Sequence, residues 1–174
     1  MLSAHDNSKF FYHLADQTPG QTFDVFGPTV EFLTWSDEFC VMRGVVPPGV
    51  TVPLHRHVDA EDFYIISGTQ QVLVTGENGL EWHDAHAGDY VRIPGHVPHA
   101  HRNVSNEPAV ELIITTARLG RFFQEIGRPV TDSLAPPTPE EFAHFIDVAV
   151  SYGYVLGSPG DNAAVGITVP EFPT

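Results

Sequence analysis

The chain has 174 residues with 8 Lys or Arg against 22 Asp or Glu, a formal net charge of -14 and a sequence pI near 4.8. That length suits one domain with appendages, and the acidity excludes a nucleic-acid interface, which needs clustered basic residues. A lone cysteine, Cys40 in the apolar run FCVM, excludes an intramolecular disulfide and a thiolate metal cluster, so it reads as core filling and leaves His and carboxylate as the available ligands.

Residues 1–28 read as an N-terminal arm. The opening MLSAHDNSKFFYHLADQ has neither a continuous apolar stretch nor a basic leader, and no window approaches the length of a membrane span, so a cytoplasmic protein with no membrane contact is expected. His5 and His13 on this arm carry no assignment.

From residue 29 to residue 117, short apolar runs recur between Gly, Pro, Asn and Asp turn signals, the rhythm of an antiparallel sandwich or barrel. Strands are predicted at 29–35, 39–46, 51–57, 62–68, 70–76, 80–85, 89–94, 99–104 and 109–117. Gly76-Glu-Asn-Gly79 reads as a hairpin loop, because Asn and Gly tolerate positive φ. Gly49, Gly68 and Gly88 read as bend residues.

Residues 118–174 change character and read as a short helical extension with a tail packing on the barrel. RLGRFFQEIGRPV predicts a short helix or turn ending at Gly127 and Pro129. In the next helix Thr138 acts as N-cap, Pro139 suits the first turn, and Phe142, Phe145, Ile146, Ala149 and Val150 form an apolar stripe expected to pack on the outside of the barrel. The Gly- and Pro-containing tail from Gly157 reads as an extended arm.

The chemistry concentrates in GVTVPLHRHVDAEDFYIISG, residues 49–68. Side chains alternate along a strand, so His55 and His57 point the same way and can reach one ion together, and Glu61 follows if the strand stays regular. His99, in GDYVRIPGHVPHAHRN, is a fourth candidate. Imidazole nitrogens with one carboxylate oxygen suit a single divalent transition metal: iron, manganese, nickel, cobalt, copper or zinc.

Written as spacings, the two stretches are G-x5-H-x-H-x3-E-x6-G, from Gly49 to Gly68, and G-x5-P-x4-H-x3-N, from Gly88 to Asn103. In this order they resemble the paired motifs of the cupin superfamily. The resemblance implies an all-β fold, the double-stranded β-helix or jelly-roll barrel, over residues 29–117, with His55, His57, Glu61 and His99 as metal ligands. One departure stands out: Gly95 comes one place early, and His96 fills the position where the motif carries glycine.

Other groups receive lesser roles. His101 shares the parity of His99 and reads as structural or surface before substrate contact, while His83 and His86 read as solvated. Arg56 and Arg102 alternate with the ligand histidines and should face outward, leaving Arg43 and Arg92 as central candidates. Phe32, Phe39, Met42, Phe63, Tyr64, Ile66, Val72, Trp82, Val91, Ile93 and Ile113 should divide between the two faces of their strands.

The single barrel, DFYIISG and FFQEIGRPV are similar to quercetinase-type flavonol 2,3-dioxygenases. That similarity implies an enzyme using dioxygen on a flavonol or related enolic aromatic substrate, with Glu61 as ligand, base or both. The alternatives are a metal-dependent isomerase or lyase on a small keto or enol compound, and a non-enzymatic small-molecule-binding barrel. Exposed sheet edges make a homodimer the expected assembly.

Overall fold

The computed structural model describes residues 20–77, 79–130 and 135–169, so His5, His13 and most of the 1–28 arm lie outside the described residues. Among the described residues, twelve strands and three helices follow one another. The strands are β1 (Thr22–Asp24), β2 (Thr29–Trp35), β3 (Phe39–Val46), β4 (Thr51–Arg56), β5 (Glu61–Ser67), β6 (Thr69–Gly76), β7 (Gly79–His86), β8 (Tyr90–Ile93), β9 (His99–Arg102), β10 (Ala109–Thr116), β11 (Arg128–Pro129) and β12 (Val155–Leu156). The helices are α1 (Ala117–Ile126), α2 (Pro139–Ser151) and α3 (Pro159–Ala164).

The strands form two antiparallel sheets, ordered β11-β1-β2-β3-β10-β5-β8 and β12-β4-β9-β6-β7. The predicted strands all appear, with ends displaced by a residue or two; the short β1, β11 and β12 were not anticipated. The hairpin at 76–79 closes as expected, with Gly76 opposite Gly79.

Strict alternation builds the core. Along β3 the buried positions are Cys40, Met42, Gly44 and Val46, and along β10 they are Ala109, Glu111, Ile113 and Thr115. Met42, Phe63, Val72, Ile93 and Ile113 meet between the sheets with Val30, Cys40, Ile65 and Ala85, whereas Phe39, Tyr64 and Ile66 are exposed, so the apolar strand residues divide between faces as expected. Burial pushes the Cys40 thiol up to about 12, which keeps it an inert core residue.

Arg43 and Arg92 are not central. The inward parity of β3 belongs to Met42 and Gly44, so Arg43 turns out to pair with Glu31; Arg92 reaches Asp62 on the surface. Arg102 faces outward as expected, stacked 3.9 Å over the Trp82 ring.

Helix α1 starts where Thr116 accepts from the Leu119 amide and buries Leu119, Phe122 and Ile126. The α2 capping box is complete, Thr138 with Glu141. Its stripe differs from expectation: Val148 and Ala149 are buried while Val150 is exposed, and the helix packs on α1 and on Phe26 of the β1–β2 turn rather than on the barrel itself. The tail from Gly157 is not an extended arm. Ser158 and Asp161 form a second capping box around Pro159 that starts α3, and Ile167 beyond it covers Leu54, Leu73 and Ala100 on the outer face of the smaller sheet. No helix among the described residues is long and apolar enough to cross a membrane.

Candidate metal centre

His55 and His99 sit directly opposite each other on the antiparallel pair β4–β9, with ring centroids 4.2 Å apart. His57 lies one residue beyond the end of β4, its ring edge-on to His99 at 5.0 Å. The strand does not stay regular to Glu61, as parity alone had required. Residues 57–60 cross from one sheet to the other, and Glu61 opens β5 on the facing sheet, paired with Thr115 and Ile93. Glu61 of one sheet therefore meets His57 and His99 from the other side of the barrel.

The crossover is pinned from several sides. Thr115 Oγ1 donates to the Ala60 carbonyl at 2.7 Å, Thr116 Oγ1 donates to the buried Asp59 carboxylate at 2.6 Å, and Arg118 bonds the other Asp59 oxygen. Across the barrel mouth, the His96 amide donates to the His57 carbonyl at 2.6 Å. His96 has φ +69, so it adopts the left-handed conformation that the missing motif glycine would have taken. Gly95 is needed for a different reason: a Cβ there would lie 2.0 Å from the Val58 carbonyl oxygen.

Backbone carbonyls orient all three candidate histidines. Nδ1 of His55 faces the Pro53 carbonyl at 2.7 Å, that of His57 the Asp59 carbonyl at 2.9 Å, and that of His99 the Val97 carbonyl at 2.8 Å. A carbonyl only accepts, so each Nδ1 carries a proton, and in the neutral imidazole Nε2 keeps a free lone pair. This is the arrangement by which outer partners fix metal-binding imidazoles. One donor nitrogen from each of the three lies within 4.8 Å of the other two, and Nε2 of His57 and of His99 are buried with no hydrogen-bond partner. Metal–nitrogen bonds of about 2.1 Å place ligating nitrogens roughly 3–4 Å apart, so a modest contraction would seat an ion.

Glu61 adjoins two of these histidines, and its donor oxygen groups with His99 and His101. Its Oε2 is 3.3 Å from His57 Nε2 and 3.7 Å from His99 Nε2, close enough for ion pairing but without hydrogen-bond alignment. Burial alone would raise its pKa, but the two imidazoles outweigh that and hold it well below the usual carboxylate range. Burial likewise depresses His57, yet the Glu61 carboxylate outweighs it and the net direction is upward. For His55, burial and then the neighbouring His99 lower the pKa well below its ordinary value, leaving a neutral imidazole. Orphaned buried nitrogens, neutral imidazole and an ionised carboxylate fit a borderline divalent transition metal.

Three residues beside this set escaped the sequence reading. Tyr154 lies parallel to the His55 ring at 5.6 Å, approaches His57 at 4.8 Å and stacks on Phe122 at 4.3 Å, so the strap between α2 and β12 covers the histidines. Its phenol stays protonated because burial, then the Glu61 and Asp59 charges, raise it well above its ordinary value. Arg118 holds both the crossover, through Asp59, and the strap, through the Tyr152 carbonyl. Glu111 faces inward from β10, hydrogen-bonded by Gln70 across the sheets, and burial raises it to about 8. His101 is buried too, which fits the structural alternative expected for it and not the surface one, and burial pushes it down to about 3. His83 and His86 are exposed, as expected.

Residues 42–115 match the family model of the Cupin domain. No curated protein sequence matches the chain. Among solved structures, an RmlC-like cupin from Shewanella frigidimarina NCIMB 400 is 19% identical, with 63% of this chain and 92% of that chain covered and a TM-score of 0.52. KdgF from Halomonas sp. is 15% identical, with 63% and 94% covered and a TM-score of 0.53. At such identities the likeness concerns the fold. The matched segment is less than half of the chain, and over it and the flanking strands the chain shares the two-sheet barrel fold of these cupins.

Proposed function

We propose that the chain is a metal-dependent enzyme of quercetinase type, which opens a flavonol or related enolic aromatic ring with dioxygen. The observation that carries the metal-dependent part is the set of three clustered imidazoles whose Nδ1 atoms are bonded to carbonyls, two of which, His57 and His99, turn Nε2 toward the Glu61 carboxylate. His55, His57, His99 and Glu61 would hold one divalent cation, which when bound supplies Lewis acidity and open positions for oxygen ligands. Glu61, ionised and placed between His57 and His99, accepts the proton of the substrate enol.

The aromatic preference is supported by the wall that Tyr154 and Phe122 build over the histidines, and by the engagement of Arg118 beside it. Arg118 is engaged by Asp59 and the Tyr152 carbonyl and is not left to grip a phosphate. The FFQEIGRPV segment that suggested the quercetinase likeness supplies that Phe122. A second reading, an isomerase or lyase on a small keto or enol compound without dioxygen, draws support from the polar interior formed by His101, Gln70 and Glu111.

Metal analysis of the chain purified without added metal, followed by oxygen-electrode assays over flavonols and 1,3-diketones, tests the proposal. One equivalent of metal and substrate-dependent oxygen uptake are expected. His57→Ala and His99→Ala should lose metal and activity together, while His83→Ala should keep both. Turnover without oxygen uptake would select the isomerase or lyase reading, and full metal occupancy in His99→Ala would remove that residue from the coordination sphere.

A further inference from the structure

His55, His57, His99 and His101 line the same interior, and the first three are committed through Nδ1 to backbone carbonyls. His101 is committed to nothing. It is 6% exposed, and both of its ring nitrogens are buried without a hydrogen-bond partner. Register explains its position: it lies opposite Val52 on β4 and Val72 on β6, with the inward parity of His99, and its ring touches Phe63 and His99. One donor atom of His101 lies within 4.8 Å of one from Glu61 and one from His99, so it looks onto the candidate centre.

Gln70 shares the inward parity of Val72 on β6. It is completely buried, its amide nitrogen is given to Glu111, and its Oε1 has no partner. An unpaired buried polar atom costs about 1–3 kcal/mol, and here three of them belong to two inward-facing residues on the paired strands β9 and β6. Nothing in the backbone dictates the His101 tautomer, so its nitrogen can donate to a carbonyl or accept from a hydroxyl. The nearby arginines are turned elsewhere, Arg102 to Gln71 and Trp82 and Arg118 to Asp59, so a phosphate or carboxylate is a poor match.

We propose that His101 and Gln70 form a hydrogen-bonding subsite for the second oxygen of a substrate that carries two adjacent oxygens, as an α-hydroxyketone or its enol does. The first oxygen belongs at the His55, His57, His99 and Glu61 centre, so this subsite rests on the metal-dependent reading. It acts on which compounds are held and in what orientation, whether or not dioxygen takes part.

The test uses the cobalt(II)-loaded chain and two probes followed by visible absorption: maltol, a hydroxypyranone with adjacent oxygens, and azide, which binds through one atom. His101→Phe should keep one cobalt per chain and wild-type azide affinity while binding maltol at least tenfold more weakly. Gln70→Met should shift maltol in the same direction by a smaller factor, and it carries the test if His101→Phe does not fold. Loss of cobalt from folded His101→Phe would make His101 a metal ligand and overturn the subsite. Equal maltol affinity in the wild type and the folded variants would overturn it while leaving the metal reading intact. Failure of the wild type to hold cobalt would instead sink the metal reading itself.

Discussion

Replacing Glu111 with glutamine probes the polarity of the barrel interior without touching a proposed ligand. Glu111 is 4% exposed, and burial first, with a further push from the Glu61 charge and against the Gln70 hydrogen bond, raises its carboxyl from an ordinary 4.5 to about 8. Between those values the folded chain keeps a proton that the unfolded chain has released, so stability falls as pH rises, by about 1.4 kcal/mol per unit. Three and a half units give an upper bound of about 5 kcal/mol; relaxation and water entry reduce the working figure to roughly 2–4 kcal/mol. Glu111→Gln keeps an acceptor for the Gln70 amide and cannot ionise. Urea unfolding at pH 5, 7 and 8.5, with chelator present so that no ion adds its own charge, should find the two chains within about 1 kcal/mol at pH 5. At pH 8.5 the variant should be the more stable by the working figure. Parallel stability curves for the two chains across this range would refute the assignment of a proton to Glu111 in the fold.

Gly95→Ala places a Cβ 2.0 Å from the Val58 carbonyl oxygen and forces apart the loop that the His96 amide ties to His57. A loss of roughly 2–4 kcal/mol is expected, read as a fall in Tm of about 5–15 °C. His96→Gly should act oppositely, because relief of a left-handed residue, about 1–2 kcal/mol, exceeds the added unfolded-state entropy, and Tm should rise by a degree or more. Arg118→Met leaves the buried Asp59 carboxylate without its cation. The arginine side chain is 37% exposed, so solvent screening reduces the cost to about 1–2 kcal/mol in urea unfolding, most of it recovered by adding Asp59→Asn.

Much of the barrel was legible because its signal is local. Alternation in FCVMRGVV and AVELIITT marks two strands with one buried face each, and Gly76-Glu-Asn-Gly79 marks the hairpin between two others. Spacing singled out His55, His57, Glu61 and His99 as candidates, and Glu61 reaches His57 by crossing to the facing sheet, not by continuing a strand. The same rule of alternation, applied to β3 with Met42 facing inward, turns Arg43 out and Glu111's partner position, Gly44, in. Choosing the face required knowing which strands neighbour one another, and that information is not local. Tyr154 illustrates the extreme case. It lies 97 residues beyond His57, outside the barrel in sequence, and reaches the histidines only because α1 and α2 carry the chain back to β4.

The interior that results is expensive for a barrel this small. Every buried, unpartnered side-chain polar atom among the described residues belongs to an inward-facing residue: His57, Gln70, His99 or His101. A core selected only for stability would fill those positions with Val or Ile, as the adjoining Val72 and Ile113 do. Two features limit the damage: the Gln70–Glu111 hydrogen bond, which joins the sheets across the polar space, and the carbonyl contacts that orient each ligand imidazole. The remaining cost falls on donor atoms that a cation and an oxygen-bearing ligand would satisfy together. Local conflict with good packing is thus concentrated where the chemistry is proposed and relaxed elsewhere in the fold.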